Sequence, residues 1–516
     1  MHPRTPRTRL APLALGLLLA LSGGASADGP VTEPARLAPA DADVLRAVER
    51  ELRDDRTVPF DRIDASVAQG IVTLEGSVDS LLARERAARQ AQTVRGVRSV
   101  VNQLHVQPAA SLSDEAIRKD VVAALLVDPA ADAYEVGVTV EDGVVALTGT
   151  VGSWREQDLV ETVVRGVRGV RALDSHMVVA PPAQRSAMEV ATEIEQALHW
   201  DVYIDDALID VRVEGGSAYL SGVVGSAAEK RLAIAKARTQ GVVRVVADDL
   251  EVASWARDPH LRDDKYARVD DDRIEAALHA TFVQDPRVYS FDVEADVQNG
   301  FVTLTGTVDN LQAKRSAAQD ARNTVGVRHV LNHVKVRSPD HRADVAVAAD
   351  VVAALTRDPF TSARDLDVRV EDGVVRLHGQ ADSRFERSQA DHVASRVRGV
   401  RDVVNRIRVE DPTMRYDPYV DEFFPRPLGR LAVPTGEGDL TPRDLEHRIR
   451  LELFWSPFVD GSSIDVEVVG GVATLTGTVG SRMAWDAARE NAYEGGASLV
   501  VNDLEIRTPA PEPSDS

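Results

Sequence analysis

The chain has 516 residues, 44% of them hydrophobic and only 4% aromatic, which is too long for one core and too poor in large anchors, so several small domains are expected. Its 60 Lys+Arg stand against 82 Asp+Glu, a formal charge of −22 that repels phosphate backbones and argues against nucleic-acid binding. The absence of cysteine excludes disulfides, a thiolate nucleophile, a cysteine-ligated metal and a cysteine-borne lipid anchor.

Arg4, Arg7 and Arg9 come first, followed by an apolar stretch from Leu10 to Leu21 and the small-residue site Ala25-Ser26-Ala27. This is the pattern of a secretory signal peptide over residues 1–27, since the apolar stretch is shorter than a membrane span needs and ends in Ser22-Gly23-Gly24. Every later apolar run is broken by Arg, Asp or Glu within a few residues, so a soluble, periplasmic mature chain beginning near Asp28 is expected.

Next comes an amphipathic helix pattern, Val44, Leu45, Val48 and Leu52, with Asp43 placed to cap its start. The pattern returns at Ile117, Val121 and Leu125 behind Ser113. A strand of period two follows it, clearest in Ile209-Asp-Val211-Arg-Val213, Leu366-Asp-Val368-Arg-Val370 and Ile464-Asp-Val466-Glu-Val468. Then Gln69-Gly70, Asp142-Gly143, Asn299-Gly300 and Asp372-Gly373 stand where a tight hairpin needs residues that tolerate positive φ. The return strand puts Val72 and Leu74, or Val302 and Leu304, on one face and Thr303 and Thr305 on the other, and a second glycine is expected to end it at a bend or close approach. An alanine-rich charged helix such as Leu82-ARERAARQAQTV comes after it and closes on Gly-Val, read as a left-handed helix cap. A strand of the form Val-x-Asn-x-Leu-x-Val, as in Val330 to Val336, ends the unit.

The unit is written six times. The bracketing glycines are Gly70 and Gly76, Gly143 and Gly149, Gly216 and Gly222, Gly300 and Gly306, Gly373 and Gly379, and Gly471 and Gly477, with the helix-closing glycines at Gly96, Gly169, Gly326 and Gly399. Successive second glycines are 73, 73, 84, 73 and 98 residues apart, and three equal steps argue duplication. All of these glycines are read as turn, strand-end or cap positions before any ligand role, and Asn102, Asn332, Asn405 and Asn502 are read as bonding locally to backbone. Ser175 and Asp248 replace the asparagine in copies two and three, and the corresponding glycine of copy three, Gly241, comes one residue early.

Helix, strand, strand, helix, strand, with glycine after the first strand and Gly-Val before a Val-x-Asn-x-Leu-x-Val strand, resembles the BON domain of bacterial envelope proteins. The resemblance implies an α+β chain of six small modules in tandem, each a three-stranded sheet with two helices on one face. Their spans are 41–107, 113–179, 186–252, 270–337, 344–410 and 440–507. Between them lie a linker at 253–269, with Trp255, His260 and Tyr266, and an aromatic and proline-rich linker at 411–439; residues 508–516 form a tail of disordered composition. Short links between copies point to a curved string in which neighbours pack.

Tyr416, Tyr419, Phe423 and Phe424 of the second linker either lie in a groove between modules five and six or form an exposed contact for a partner or membrane. No phosphate loop, nucleophile elbow, His-Glu-x-x-His or calcium loop occurs, and His329 and His333 fall where their spacing does not bring side chains together. Asp270-Asp271-Asp272 is expected to cap the first helix of copy four. No catalytic residue, cofactor or metal is therefore expected. The resemblance implies a protein of osmotic or envelope-stress protection that attaches to phospholipid surfaces; the acidic charge argues against strong binding to anionic lipid, so any contact is expected to be local, through helices bearing Arg84, Arg86 and Arg89 or Arg384, Arg387 and Arg396. The alternative is an adaptor or chaperone-like scaffold that holds envelope proteins at open sheet edges.

Overall fold

A computed structural model of the protein describes residues 39–506 apart from 56, 110, 129–135, 180–184, 258–268, 289–290, 338–341, 363, 412–440, 457–458, 460, 481, 496 and 498. The expected signal peptide, His260 and Tyr266 of the first linker, the aromatic linker with Tyr416, Tyr419, Phe423 and Phe424, and the tail lie outside the described residues.

Copy one shows how the sequence makes a module. Its first helix, Asp41–Asp54, buries Val44, Ala47, Val48 and Leu52 on one stripe, while Leu45 is only half-buried. Strand one, Ile63–Ala68, pairs antiparallel with strand two, Ile71–Val78. The second helix, Leu81–Thr93, starts at Ser80, whose hydroxyl accepts the N–H of Ala83 at 3.1 Å. Strand three, Ser99–Asn102 continued at His105–Val106, returns parallel to strand two, which is the centre of the sheet. Val72, Leu74 and Val78 share one core with Val48 and Leu52 of the first helix and Ala83, Ala87 and Ala91 of the second, so both helices cover the same face. Each large aliphatic side chain buried there stabilises by about 1.5–3 kcal/mol.

The other five copies repeat this plan. Their first helices are Asp114–Val127, Ala187–His199, Asp271–Gln284, Asp344–Arg357 and Pro442–Trp455, and their second helices Trp154–Arg165, Ala227–Lys236, Leu311–Arg322, Arg384–Ser395 and Arg482–Glu494. In each sheet strand two lies between an antiparallel strand one and a parallel strand three.

Two glycine expectations change. Gly76 does not end strand two, which runs on to Val78; it sits inside at φ 111° with its Cα paired to Ile63, and a Cβ there would lie 2.1 Å from the carbonyl oxygen of Arg62. Gly222, Gly306, Gly379 and Gly477 have the same crowding, so the close approach rather than a strand end demands glycine; Gly149, also mid-strand, has φ 144°. Gly96 is likewise not a helix cap. The helix stops at Thr93, and Gly96 takes the third place of a turn closed by Val97 N–H on the Val94 carbonyl at 3.1 Å, with the φ of 91° that a type II turn requires. Gly169, Gly326 and Gly399 hold equivalent turns, as does Gly241 of copy three.

The copies do not form a string. Copies one, two and three close on themselves through equivalent positions of their second helices. Glu85 of copy one pairs with Arg165 of copy two at 3.0 Å, Asp158 of copy two with Arg238 of copy three at 3.4 Å, and Arg231 of copy three donates to Gln92 of copy one at 3.0 Å. The second half of the chain then lies back on the first in reversed order. Copy four meets copy three through an isolated bridge, with Val202 N–H on the Asn323 carbonyl and Val325 N–H on the Trp200 carbonyl, both 3.0 Å. Copy five meets copy two reciprocally: Arg168 N–H donates to Arg357 O at 2.7 Å and Arg398 N–H to Val127 O at 3.2 Å, an exchange between equivalent positions that marks a local two-fold. Copy six meets copy one through Arg50 and Glu452 at 3.6 Å and through Arg95 over the Phe454 ring. Copies one and two share one apolar core, and copies three and six another. A string fails because the helices keep enough apolar and charged surface to close these seams, and packing them removes more surface from water than neighbour contacts alone.

Candidate interaction surfaces

Helices meet inside, so the sheets face out. The outward positions are the alternates expected from the sequence: Asp210, Arg212, Asp367, Arg369 and Thr305 are exposed, while Thr303 is half-buried. Arg212 pairs with Glu214 at 2.6 Å, Arg369 with Asp367 at 2.9 Å and Arg376 with Glu371 at 3.0 Å, so these outer faces are polar and internally compensated. Four carry apolar spots: Ile71 and Val101 in copy one, Val144 and Val178 in copy two, Phe301 and Leu331 in copy four, and Val469, Leu499 and Val501 in copy six. Trp255, at the start of the first linker, is 48% exposed. Among the described residues no two sheets join edge to edge, so first and third strands keep unpaired edges.

Of the arginines expected to reach headgroups, Arg86 and Arg396 are engaged at seams between modules, and the side chain of Arg384 lies outside the described residues. Arg86, 4% exposed, pairs with Asp55 at 2.5 Å and stacks on the Phe385 ring of copy five at 3.8 Å. Arg89 pairs with Glu85, and Arg396 with Asp128 of copy two at 2.6 Å. Arg84 and Arg387 donate to the carbonyls of Asn102 and Asn405 in their own modules. A sequence window shows that these helices are cationic but cannot show that their charged faces are the seams.

The structure brings together residues far apart in sequence that the repeat alone did not reveal. The carboxylate of Asp41 accepts the N–H groups of Gln69 and Gly70 at 2.7 and 2.9 Å, and Asp114, Asp271 and Asp344 do the same at the turns of copies two, four and five. The acidic run of copy four is thus divided: Asp270 makes no side-chain cap bond, and Asp271 holds the hairpin instead. Ser113 does cap its helix, through Ala116 N–H, whereas Asp43 lies within the first turn and pairs with Arg46. The asparagines tie strand three to the second helix: Asn102 Nδ2 donates to the Arg84 carbonyl at 2.8 Å and its Oδ1 accepts Leu104 N–H at 3.2 Å, with Asn332, Asn405 and Asn502 alike.

A buried aspartate ends the first helix of five copies: Asp55, Asp128, Asp201, Asp285 and Asp358. Four face a cation, Arg86, Arg396, Lys236 and Arg287 respectively, while Asp358 accepts neutral donors, the amide of Gln389 at 2.6 Å and the N–H groups of Phe360 and Thr361. Burial therefore pushes the Asp358 carboxyl up to about 6; around Asp285 burial works the same way, but Arg287 overrides it and holds the group at about 2. Burial, and then Arg396, Arg315 and Arg287, keep His392 neutral well below its usual range.

Several cavities lie at seams between modules. One of about 190 Å³ lies between copies one, two and five against Phe360, Phe385 and Val397, and its carboxylates are already engaged: Glu85 by Arg165, Asp128 by Arg396 and Asp358 by Gln389. A second, about 320 Å³, lies between copies two, three and four beside Trp200 and Asp320. A crevice of about 300 Å³ separates copies one and three. No group of three or more metal-ligating side chains occurs among the described residues; His329 lies beside Phe301, and the backbone N–H of His333 goes to Leu304. No described helix is long and apolar enough to cross a membrane.

Comparison with known proteins places these modules in a family. The BON domain matches at residues 40–108, 113–181, 187–254, 270–338, 343–411 and 443–508. Osmotically-inducible protein Y of Escherichia coli strain K12 is 33% identical over 148 residues, 28% of this chain and 74% of that protein. The outer membrane lipoprotein DolP of Haemophilus influenzae is 28% identical over 184 residues, 34% of this chain and 93% of that protein. Among solved structures, CdsD, a structural protein of the type III secretion system of Chlamydia trachomatis, is similar at 15% identity over 40% of this chain and 91% of that one, with a TM-score of 0.12.

Proposed function

Since the chain belongs to the BON-domain family, we propose that it is an exported, non-catalytic protein of the bacterial envelope that serves osmotic or envelope-stress protection by contact with surfaces there, first of all phospholipid. The observation that carries a contact role is the arrangement itself: the sheets turn their outer faces to solvent, the second helices of copies one, two and three meet inside, and the carboxylates of the cavity between copies one, two and five are already engaged. The relatives named for osmotic induction and for the outer membrane support the compartment and the stress. Attachment through Arg86 and Arg396 is not supported, because those two side chains close seams, and Arg84, Arg89 and Arg387 bond within their own modules; lipid contact falls to other parts of the chain.

The unpaired sheet edges, with the apolar spots beside them at Phe301 and Leu331, favour a second reading, an adaptor or chaperone-like scaffold that takes a strand of a partner protein. Co-sedimentation of the leaderless chain with anionic and neutral liposomes, at low and high salt, separates the two. Pelleting that depends on lipid composition supports the first reading. A chain that stays in the supernatant throughout, yet captures an envelope protein in competition with a strand-mimicking peptide, overturns it in favour of the second.

A further inference from the structure

The junction of copies two, three and four repeats the junction of copies one, two and five, because residues 73 apart are equivalent in these modules. The contact of Val325 N–H with the Trp200 carbonyl is the counterpart of Arg398 N–H with the Val127 carbonyl, and the pair of Asp158 and Arg238 that of Glu85 and Arg165. Each junction holds a cavity, about 320 Å³ in the first and 190 Å³ in the second, so their walls can be compared position by position. Where the smaller has Leu82, Val127, Val163, Val393 and Val397, the larger has Arg155, Trp200, Lys236, Asp320 and Thr324. Lys236 has a structural reason: Asn323 replaces Arg396, and the lysine supplies, at 2.7 Å, the cation that Asp201 would otherwise lack. Packing gives no such reason for Trp200 and Asp320, since the apolar cavity closes its junction without them.

We propose that the cavity between copies two, three and four binds a sugar, whose C–H groups lie against the Trp200 ring while its hydroxyls meet Asp320, Asn323, Gln196 and Arg273. Among the described residues the Trp200 indole N–H, the Gln196 amide and Asn323 Nδ2 make no hydrogen bond, and Asp320 and Arg273 make no ion pair. Asn323 Oδ1 accepts Gln319 Nε2 at 2.8 Å, which leaves the two Nδ2 protons as donors, and Arg273 lies 5.6 Å from the centre of the Trp200 ring. The described lining carries three cations and three acidic side chains, and two of the acids, Glu193 and Asp201, are paired with Arg185 and Lys236. Such a balance selects no ion of either sign and fits a neutral ligand whose every hydroxyl both donates and accepts. Burial, and then the nearby Asp285, push the Asp320 carboxyl well above its usual range against the pull of Arg287 and Arg155. The group therefore favours its protonated form, which donates as well as accepts. Gln196 and Arg273 are exposed and open the site to solvent, and a volume of about 320 Å³ stands at the small end of small-molecule sites, which suits a sugar of one or two rings. The walls come from three modules, so the site exists only in the folded-back chain, and it stands whether or not the chain attaches to lipid.

The test is calorimetric titration of the full leaderless chain with glucose, N-acetylglucosamine and maltose, and wild type is expected to bind at least one of them saturably. Trp200→Val and Asp320→Val copy the equivalent residues of the apolar cavity, Val127 and Val393. Each variant is expected to lose at least tenfold in affinity with an unchanged circular-dichroism melt. A second measurement needs no variant: in wild type the bound sugar is expected to slow hydrogen exchange at Val202 and Val325, whose N–H groups join copies three and four beside the cavity. The proposal is overturned by no saturable binding of any of the three sugars, by binding that either folded variant keeps undiminished, or by binding that leaves exchange at those two amides unchanged.

Discussion

Asp41, Asp114, Asp271 and Asp344 each hold a hairpin whose first central residue, Gln69, Asp142, Asn299 or Asp372, sits at a φ of 50–54° that side chains other than glycine resist. Copies three and six have Ala187 and Pro442 where this aspartate would be, and there both central residues are glycine, Gly215-Gly216 and Gly470-Gly471. The carboxylate and the strained residue thus occur together or not at all. Asp41→Ala is expected to raise hydrogen exchange at Gly70 roughly tenfold, the equivalent of about 1.4 kcal/mol, and Gln69→Gly added to it is expected to restore stability by removing the strain. Exchange at Gly70 that does not respond to Asp41→Ala would sink this account. The hairpin was legible from Asn-Gly and Asp-Gly dipeptides, but the aspartate 28 residues upstream was not, because a helix and a strand must fold before the two meet.

Between elements, a buried aspartate joins the end of the first helix to the second helix of the same module in copies one, three and five, and copy five does this without a cation. With the folded pKa of Asp358 raised to about 6 and an unfolded value near 3.9, the folded state prefers the protonated form. The contribution of Asp358 is therefore fully present below the unfolded value and is lost as pH rises through about 6. Asp358→Asn keeps an acceptor for the Phe360 and Thr361 N–H groups, and Gln389 can turn its amide to match. This variant is expected to be more stable than wild type at pH 7.5, by at most about 3 kcal/mol, and to flatten the pH dependence of thermal unfolding between pH 4 and 7. Parallel pH curves for the two proteins would show that Asp358 ionises without cost. The strand and helix periods were readable in every copy because binary pattern sets them, whereas the mid-strand place of Gly76 needed the carbonyl of Arg62 across the ladder to reveal it.

For the whole molecule, the consequence of folding back is compactness. A closed body of this size has a radius of gyration of roughly 23 Å, and a string of six modules is far longer than that. Small-angle scattering of residues 39–506 is expected to give the compact value, and a markedly extended profile would refute the nested pairing of copies. The same closure sets Arg86 against Phe385 of copy five and Arg396 against Asp128 of copy two, so both are seam residues. It also makes one chain resemble a small assembly, with a local two-fold between copies two and five where Arg168 and Arg398 donate reciprocally.

The repeat, the order of elements, the glycine turns, the asparagine ties and the family resemblance came from local pattern, because hydrophobic period and turn chemistry act within a few residues and each copy states them again. Which charged faces are buried and which helices are hidden were decided only in three dimensions. Those outcomes depend on which copies meet, and contact between residues up to hundreds apart in sequence leaves no periodic mark on the chain.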